Sequence, residues 1–312
     1  MGLNHTLTGH EPPSFYNAWT PLAPPDFVGR DRELMKVCQA VQDCRSVSVV
    51  ADHHLGKSSF LKTLKILYQT QGRNVRYLSG LDTAGQSVQA FVSVITGRDS
   101  PTQPDQAADH LAAWAAEQAQ IAPPLLLVDD VESCFQRFPL RFFERLRGML
   151  YKLVLIFASS QELDLIGEDE HRANVVSPLE NRLEMVRLGL LSNEAAEQLI
   201  QRGAGVFSEA DQALMRQWAG RHPYYLQLVG AALWRARLRG ESRQELLDHL
   251  YAEARLRLRQ IWLSLHPGEQ QALLGALRGQ VITHRSLRLR GLVTEEGQLF
   301  GQILREWLEQ EQ

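Results

Sequence analysis

The sequence predicts an α/β protein in which a parallel β-sheet flanked by helices is followed by an all-helical C-terminal half. Short apolar runs of strand length alternate with helical segments through about residue 190, and after Leu191 the pattern becomes helical. Alternating strands and helices favour a parallel sheet covered on both faces. We expect an extended segment at 1–25, a sheet domain at 26–190, a helical domain at 191–264 and a small domain at 265–312.

Composition narrows the class of protein. The chain has 312 residues, 44% of them hydrophobic, which is enough for two or three domains with real cores. Its net charge of −3 gives no general attraction to nucleic acid or to anionic membranes. The three cysteines include no CxxC pair, which favours a reducing, cytoplasmic location. No apolar run approaches the roughly 20 residues that span a bilayer, so we expect no membrane partner.

The first segment is polar and rich in proline, so it is predicted to be extended rather than helical. Its aromatic residues predict that it is held against the surface of the following domain. These residues are Phe15, Tyr16 and Trp19. A turn at Gly29 precedes a helix that is predicted to end near Asp43.

The stretch Val47–Leu61 reads as a buried strand, a tight loop and the start of a helix, which is the context of a phosphate-binding loop. Gly56 lets the backbone approach phosphate oxygens, Lys57 supplies a cation, and the Ser58 hydroxyl is a ligand for Mg²⁺. The helix N-terminus adds unpaired amides. The loop departs from the G-x-x-x-x-G-K-[ST] pattern because Ala51 replaces the first glycine. We expect Lys57 to face solvent when no ligand is bound.

A second informative stretch is the apolar run from Leu125 to Val128, which ends in Asp129, Asp130 and, two residues later, Glu132. Four apolar residues in a row predict a strand buried on both faces. Carboxylates at the carboxyl end of a parallel strand are where nucleotide enzymes hold Mg²⁺. Without the phosphate loop, solvated acids at a strand end would be the better interpretation.

Further elements follow in order. One amphipathic helix is predicted over 135–150, and an apolar strand over 153–160 ends in Ser159 and Ser160. Residues 166–183 look irregular, and 183–188 is predicted to be the last strand.

The C-terminal half is predicted to contain helices at about 193–203, 208–219, 222–239 and 241–264. Pro223 after His222 suits the first turn of a helix. A helix at 267–277, an amphipathic stretch at 287–293, a turn at 295–297 and a helix at 300–308 give the outline of a winged helix.

The phosphate loop, the acids after the second apolar strand and the helical segments, taken in this order, resemble those of the STAND-type AAA+ P-loop ATPases over about residues 15–309. Phe27, Val28, Gly29 and Arg30 match the "FVGRxxEL" box, and Gly220 to Leu226 resembles the "GxPxxL" lid motif. The resemblance implies a P-loop NTPase sheet, a helical lid and a winged-helix domain. It also implies ATP or ADP with Mg²⁺ as cofactors. The nucleotide contacts that it implies are Phe27, Val28, Gly29, Arg30, His54, Leu55, Gly56, Lys57, Ser58, Ser59, His222 and Pro223. An ordinary helix cap remains the alternative for the last two.

By this resemblance, Ser58 and Asp129 would hold the metal. The catalytic group would be Asp130, with Glu132 as a further acid. Ser159 would be the sensor of the γ-phosphate. Asp130 stands where relatives carry glutamate and is one methylene shorter, so we expect slow hydrolysis. Arg145 and Arg147 are the candidates for an arginine that acts in trans.

The function implied is a molecular switch in signalling or defence that changes conformation with nucleotide and assembles with itself or with separately encoded protein partners. Two alternatives stay open: a DNA-associated ATPase, which is possible but not favoured, and a nucleotide-binding scaffold without turnover. Only Arg285, Arg288 and Arg290 are expected to be available to a DNA backbone.

Overall fold

The computed structural model describes residues 14–119, 122–163, 165–166, 179 and 182–312. Its centre is a five-stranded sheet in the order β2-β3-β4-β1-β5, and every neighbouring pair is parallel. The strands are β1 Ser46–Val50, β2 Val75–Ser79, β3 Leu125–Asp129, β4 Val154–Ser159 and β5 Leu183–Arg187. The predicted α/β fold class is confirmed, and this is the fold of P-loop NTPases.

Strands β1, β3 and β4 are buried along their whole length, as their continuous apolar runs predict. Val50 is in register with Ser159, and Val128 is in register with Phe157. The carboxyl ends of the three strands therefore meet at one edge of the sheet. That edge carries the loop after β1 and the acids after β3.

Thirteen helices accompany the described strands, along with a 3-10 turn at Thr83–Gln86. Those before β5 are α1 Asp31–Gln42, α2 Lys57–Thr70, α3 Val88–Thr96, α4 Pro104–Gln118, α5 Glu132–Arg137 and α6 Leu140–Gly148. Those after it are α7 Asn193–Gln201, α8 Glu209–Ala219, α9 Pro223–Arg239, α10 Arg243–Leu263, α11 Pro267–Leu277, α12 Arg285–Leu289 and α13 Gln302–Glu311.

The prediction of a single helix over 135–150 is wrong. The segment forms α5 and α6, which are separated at Pro139. Proline lacks an amide hydrogen and disfavours helical geometry at the residue before it, and Phe138 is accordingly extended with φ −85° and ψ 144°. The predicted irregular stretch at 166–183 lies largely outside the described residues.

One continuous apolar core runs through the helical half, from Leu191 to Leu308, and it includes Tyr16 of the N-terminal segment. The ring of Tyr225 on α9 stacks on Phe300, which lies before α13, with centroids 5.0 Å apart. Residues 191–264 and the C-terminal part, residues 265–312, therefore share a core. The domain boundaries stay predictions.

In the C-terminal part, α12 is followed by a tight turn in which Val293 and Leu299 form an antiparallel bridge, and α13 follows. Among the residues that the structure describes, no helix combines the length and apolar character that a membrane crossing requires.

Candidate functional site

The loop between β1 and α2 has the geometry of a phosphate cradle. Gly56 precedes α2 with φ 94°, a left-handed value that glycine adopts without strain, and His54 is also left-handed with φ 66°. Ala51 is not among the positive-φ residues, which explains why alanine is tolerated there. The first amides of α2 have no partner within the helix, and its first turn carries no acidic residue.

The expectation that Lys57 faces solvent is wrong. Its side chain is buried, with 7% exposed, and its ammonium Nζ donates to the carbonyl oxygens of Ala51 at 2.7 Å and Asp52 at 3.2 Å. Burial lowers the pKa of Lys57, and carboxylates including Glu132 and Asp129 act in the opposite direction. The lysine is buried because the loop's own carbonyl groups are the nearest acceptors.

The three acids after β3 have different surroundings. Asp129 is buried and accepts a hydrogen bond from the Tyr77 hydroxyl at 2.9 Å. Asp130 adopts a left-handed φ of 48°, an uncommon conformation that clusters at functional sites. Burial, followed by the charges of Asp129 and Glu132, raises the pKa of Asp130. Glu132 accepts from the amide of Ser160 through Oε1, and its buried Oε2 has no partner among the described residues.

The predicted sensor Ser159 is fully buried, and its hydroxyl donates to the carbonyl oxygen of Gln161 at 2.7 Å. A role at a phosphate would require this hydrogen bond to break. The in-trans candidates lie on α6, where Arg145 forms an ion pair with Asp109 and Arg147 is exposed.

A cavity of about 350 Å³ lies beside the phosphate loop. It is lined by the phosphate loop, by residues of the helical half and by residues 17–22. The predicted site residues that line it are Phe27, Val28, Arg30, His54, Leu55, Gly56, Lys57, Ser58, Ser59, Asp130 and Pro223. Those that do not line it are Gly29, Asp129, Glu132, Ser159 and His222.

Sequence reasoning missed the part of the cavity lining that α10 contributes. Arg257 of α10 lines the cavity, with its guanidinium carbon 4.4 Å from the ring centroid of Tyr224 and 5.2 Å from that of Trp19. The Tyr224 ring in turn lies 4.7 Å from the ring of His54 in the loop. A cation held between two aromatic faces is a stable arrangement. Locally Arg257 looks like one of several arginines on a charged helix, so no sequence signal distinguished it.

The two predicted histidines occupy different places. His54 lies on the cavity wall, and burial together with the positive charges of Arg257, His53 and Lys57 lowers its pKa to about 4. His222 is 1% exposed and packs between Tyr225 and Phe300, with centroid distances of 4.8 and 4.9 Å. Burial, followed by the nearby His54 and Arg30, lowers the pKa of His222 to about 3. Its predicted contact with nucleotide stays a prediction.

Arg30 joins the phosphate loop to the chain that follows β5. Its guanidinium donates to the carbonyl oxygens of Leu55 at 3.2 Å, Gly189 at 2.5 Å and Leu190 at 3.3 Å. Gly29 lies against Ala195 of α7, where a Cβ would come within 2.5 Å of the alanine methyl. The predicted nucleotide-contacting segment 27–30 therefore also links the sheet to the helical half.

The site suits a nucleoside polyphosphate with Mg²⁺. The loop residues from His53 to Ser59, including Lys57, line the cavity, and so does Asp130. Among the described residues, no group of three or more His, Cys, Asp or Glu side chains is placed to hold a metal ion by itself. Mg²⁺ at such sites takes one or two protein ligands and completes its shell with phosphate oxygens and water. Ser58 and Asp129 are the candidates for those ligands.

The parallel sheet and the loop define the chain as a P-loop NTPase fold. Two solved structures share that fold over most of the chain. The first is a Walker-type ATPase of Pyrococcus abyssi, 12% identical, with a TM-score of 0.63 over 95% of this chain and 99% of that one. The second is the ORC1 protein of Aeropyrum pernix in complex with DNA, 13% identical, with a TM-score of 0.52 over 91% and 93% of the two chains.

A third similar structure is the replication initiator DnaA bound to AMPPCP and single-stranded DNA. It is 14% identical, with a TM-score of 0.50 over 85% of each chain. No protein-family model matches the chain, and no curated protein matches it. At these identities the likeness establishes the fold.

Proposed function

We propose that the chain is a nucleotide-dependent switch of the STAND-type AAA+ class that binds ATP or ADP with Mg²⁺ and hydrolyses ATP slowly. The observation that carries the proposal is that one cavity is lined both by the phosphate loop, including Lys57, and by the helical half, including Arg257. A ligand that contacts both halves favours the arrangement in which both contacts form. Nucleotide state is thereby coupled to the relative position of the halves.

Each residue has a defined part in this proposal. Lys57 would leave the carbonyl groups of Ala51 and Asp52 to bind phosphate, and Ser58 and Asp129 would hold Mg²⁺. When bound, Mg²⁺ neutralises charge on the phosphates. Asp130 orients the attacking water. Its side chain is one methylene shorter than that of glutamate and reaches less far toward the water, which disfavours fast hydrolysis.

The test is calorimetric titration of the parent with Mg-ATP and Mg-ADP, beside Lys57→Ala and the matched control Lys62→Ala. Lys62 is on the same helix but does not line the cavity. We expect Lys57→Ala to lose most of its affinity and Lys62→Ala to keep it. Equal binding by the parent and Lys57→Ala would contradict the proposal.

The switch requires an output, which we propose is assembly with copies of itself or with separately encoded protein partners in signalling or defence. Size-exclusion chromatography with light scattering should show a larger species with a non-hydrolysable ATP analogue than with ADP. Identical elution in both states would remove self-assembly from the proposal and leave separate partners.

DNA association is the second candidate function, and its support is the fold shared with ORC1 and DnaA, which were solved with DNA. One of the three arginines expected to be available to DNA, Arg290, is instead paired with Asp52. About two or three phosphate contacts would leave weak binding with a shallow salt dependence. A DNA titration at two salt concentrations, with and without ATP, tests this. Tight, sequence-selective binding at physiological salt would make DNA association the leading function.

A further inference from the structure

The C-terminal part contacts the phosphate loop directly through an ion pair. Nη1 of Arg290, just after α12, lies 3.0 Å from Oδ2 of Asp52 in the loop, although the two residues are 238 positions apart. Both side chains are largely shielded, with 26% and 15% exposed. The same guanidinium donates to the Ser264 hydroxyl at 3.1 Å and lies 3.7 Å from the carboxylate of Glu269.

Asp52 puts a negative charge in a loop whose proposed ligand is also negative. Its carbonyl oxygen accepts from Lys57 at 3.2 Å, and its Oδ1 accepts from the amide of His53 at 2.6 Å. The charge of Asp52 is among those that raise the pKa of Lys57 against the effect of burial. An unpaired carboxylate here would repel phosphate groups across a partly desolvated loop, where charges interact more strongly than in water.

The packing next to the ion pair makes this contact dependent on the loop conformation. Gly291 has φ 70°, and a Cβ there would lie 2.7 Å from Cδ2 of Leu55 and 3.4 Å from Cδ2 of Leu190. Leu55 is fully buried, and its carbonyl oxygen accepts from Arg30. Only glycine fits both this close approach and the left-handed backbone. The C-terminal part therefore docks on one particular conformation of the loop.

We propose that Arg290 is a positioning residue that neutralises Asp52 and thereby raises the affinity of the phosphate loop for nucleotide. The proposal rests on the proposed function, because it assumes that the loop binds a nucleoside di- or triphosphate. Linkage makes the effect reciprocal: nucleotide in the loop favours the contact between Arg290 and Asp52 by the same factor.

A charge-removal cycle tests this. Dissociation constants for Mg-ADP are measured by calorimetry on the full chain for the parent, Arg290→Gln, Asp52→Asn and the double variant. Arg288→Gln is the matched control, because Arg288 lies in the last turn of α12 just before Arg290, is exposed, and donates to the carbonyl oxygen of Thr283. Thermal unfolding of each variant without nucleotide is recorded in parallel.

We expect Arg290→Gln to bind Mg-ADP about tenfold more weakly than the parent, within the usual range of coupling between sites. Asp52→Asn should bind at least as tightly as the parent, and the double variant should bind within about twofold of Asp52→Asn. If Arg290 had a purely structural role, Arg290→Gln would still weaken Mg-ADP binding, and adding Asp52→Asn in the double variant would not restore the affinity. Arg288→Gln should bind like the parent.

Equal affinity of Arg290→Gln and Arg288→Gln would overturn the inference, as would a double variant as weak as Arg290→Gln. If Arg290→Gln does not fold, the pair Arg290→Lys and Asp52→Asn/Arg290→Lys replaces it. The affinity of both variants for Mg-ADP should then be no more than about twofold below that of the parent. A larger loss of affinity overturns the inference. A parent that binds no nucleotide overturns both proposals, whereas loss on Lys57→Ala without loss on Arg290→Gln overturns only this one.

Discussion

The ring of Tyr16 lies so close to Gly230 of α9 that a Cβ at position 230 would be 2.5 Å from the ring carbons Cδ1 and Cγ. The Tyr16 hydroxyl donates to the carbonyl oxygen of Ile200 at 2.9 Å. This anchor holds the N-terminal segment on the helical half. On the opposite side, the amide of Leu22 donates to the Ser59 hydroxyl of α2 at 2.9 Å. The segment between them borders the cavity and ties its two walls together.

Replacing Tyr16 with alanine should therefore loosen this segment and speed the release of nucleotide. The lost burial predicts destabilisation of about 3 kcal/mol, typical of removing a buried aromatic ring. Tyr16→Phe keeps the ring and loses one hydrogen bond, so it should cost only about 1 kcal/mol. Chemical denaturation measures the stability, and stopped-flow displacement of a fluorescent nucleotide measures the release. Unchanged release from Tyr16→Ala would show that the segment does not retain the ligand.

Arg257→Ala should weaken ATP binding about tenfold or more, because a hydrogen bond to a charged group is worth about 1.5–3 kcal/mol. Arg257 is the cation on the cavity wall that faces the loop, held between Trp19 and Tyr224. Arg259→Ala, on the same helix and exposed, is the control and should bind like the parent. Equal ATP affinities of Arg257→Ala and Arg259→Ala would mean that Arg257 does not contact the ligand and only packs against Trp19 and Tyr224.

Asp130 should control the rate of ATP hydrolysis. We expect turnover in the parent well below the median enzyme value of about 10 per second. Asp130→Glu restores the reach toward water and should be faster, whereas Asp130→Asn removes the base and should be slower by about 100-fold or more. Phosphate release under saturating ATP measures both. If Asp130→Asn hydrolyses like the parent, Glu132 becomes the candidate, and Glu132→Gln is the variant that decides.

His222 should make the protein sensitive to acid. Its folded-state pKa of about 3 is below its ordinary value of 6.5, so its contribution to stability is complete above pH 6.5 and is lost as pH falls toward 3. The protonation energy involved is on the order of 5 kcal/mol. His222→Phe keeps an aromatic ring between Tyr225 and Phe300 and should flatten the stability profile between pH 6 and about 4. The exposed His249→Phe should leave that profile unchanged, and denaturant titrations across this range provide the test.

Residues close together in the chain were the part of the site that could be predicted. The strand–loop–helix pattern around Gly56 and Lys57 identified the phosphate loop, and the apolar run before Asp129 identified its neighbouring strand. The burial of Lys57 was not predictable, since it depends on which acceptors lie nearest in the folded loop. Likewise, the break at Pro139 overrode an apolar periodicity that had favoured one helix.

The sequence by itself determined the parallel sheet, the phosphate loop and the acids at the sheet edge, because each depends on residues within one strand and the turn after it. Only the tertiary structure decided which distant residues complete the site. Trp19, Arg257 and Arg290 reach the cavity or the loop from an N-terminal segment and from the helical half. Their roles come from packing between elements, and a charged residue on a helix has the same local pattern whether it faces solvent or a ligand.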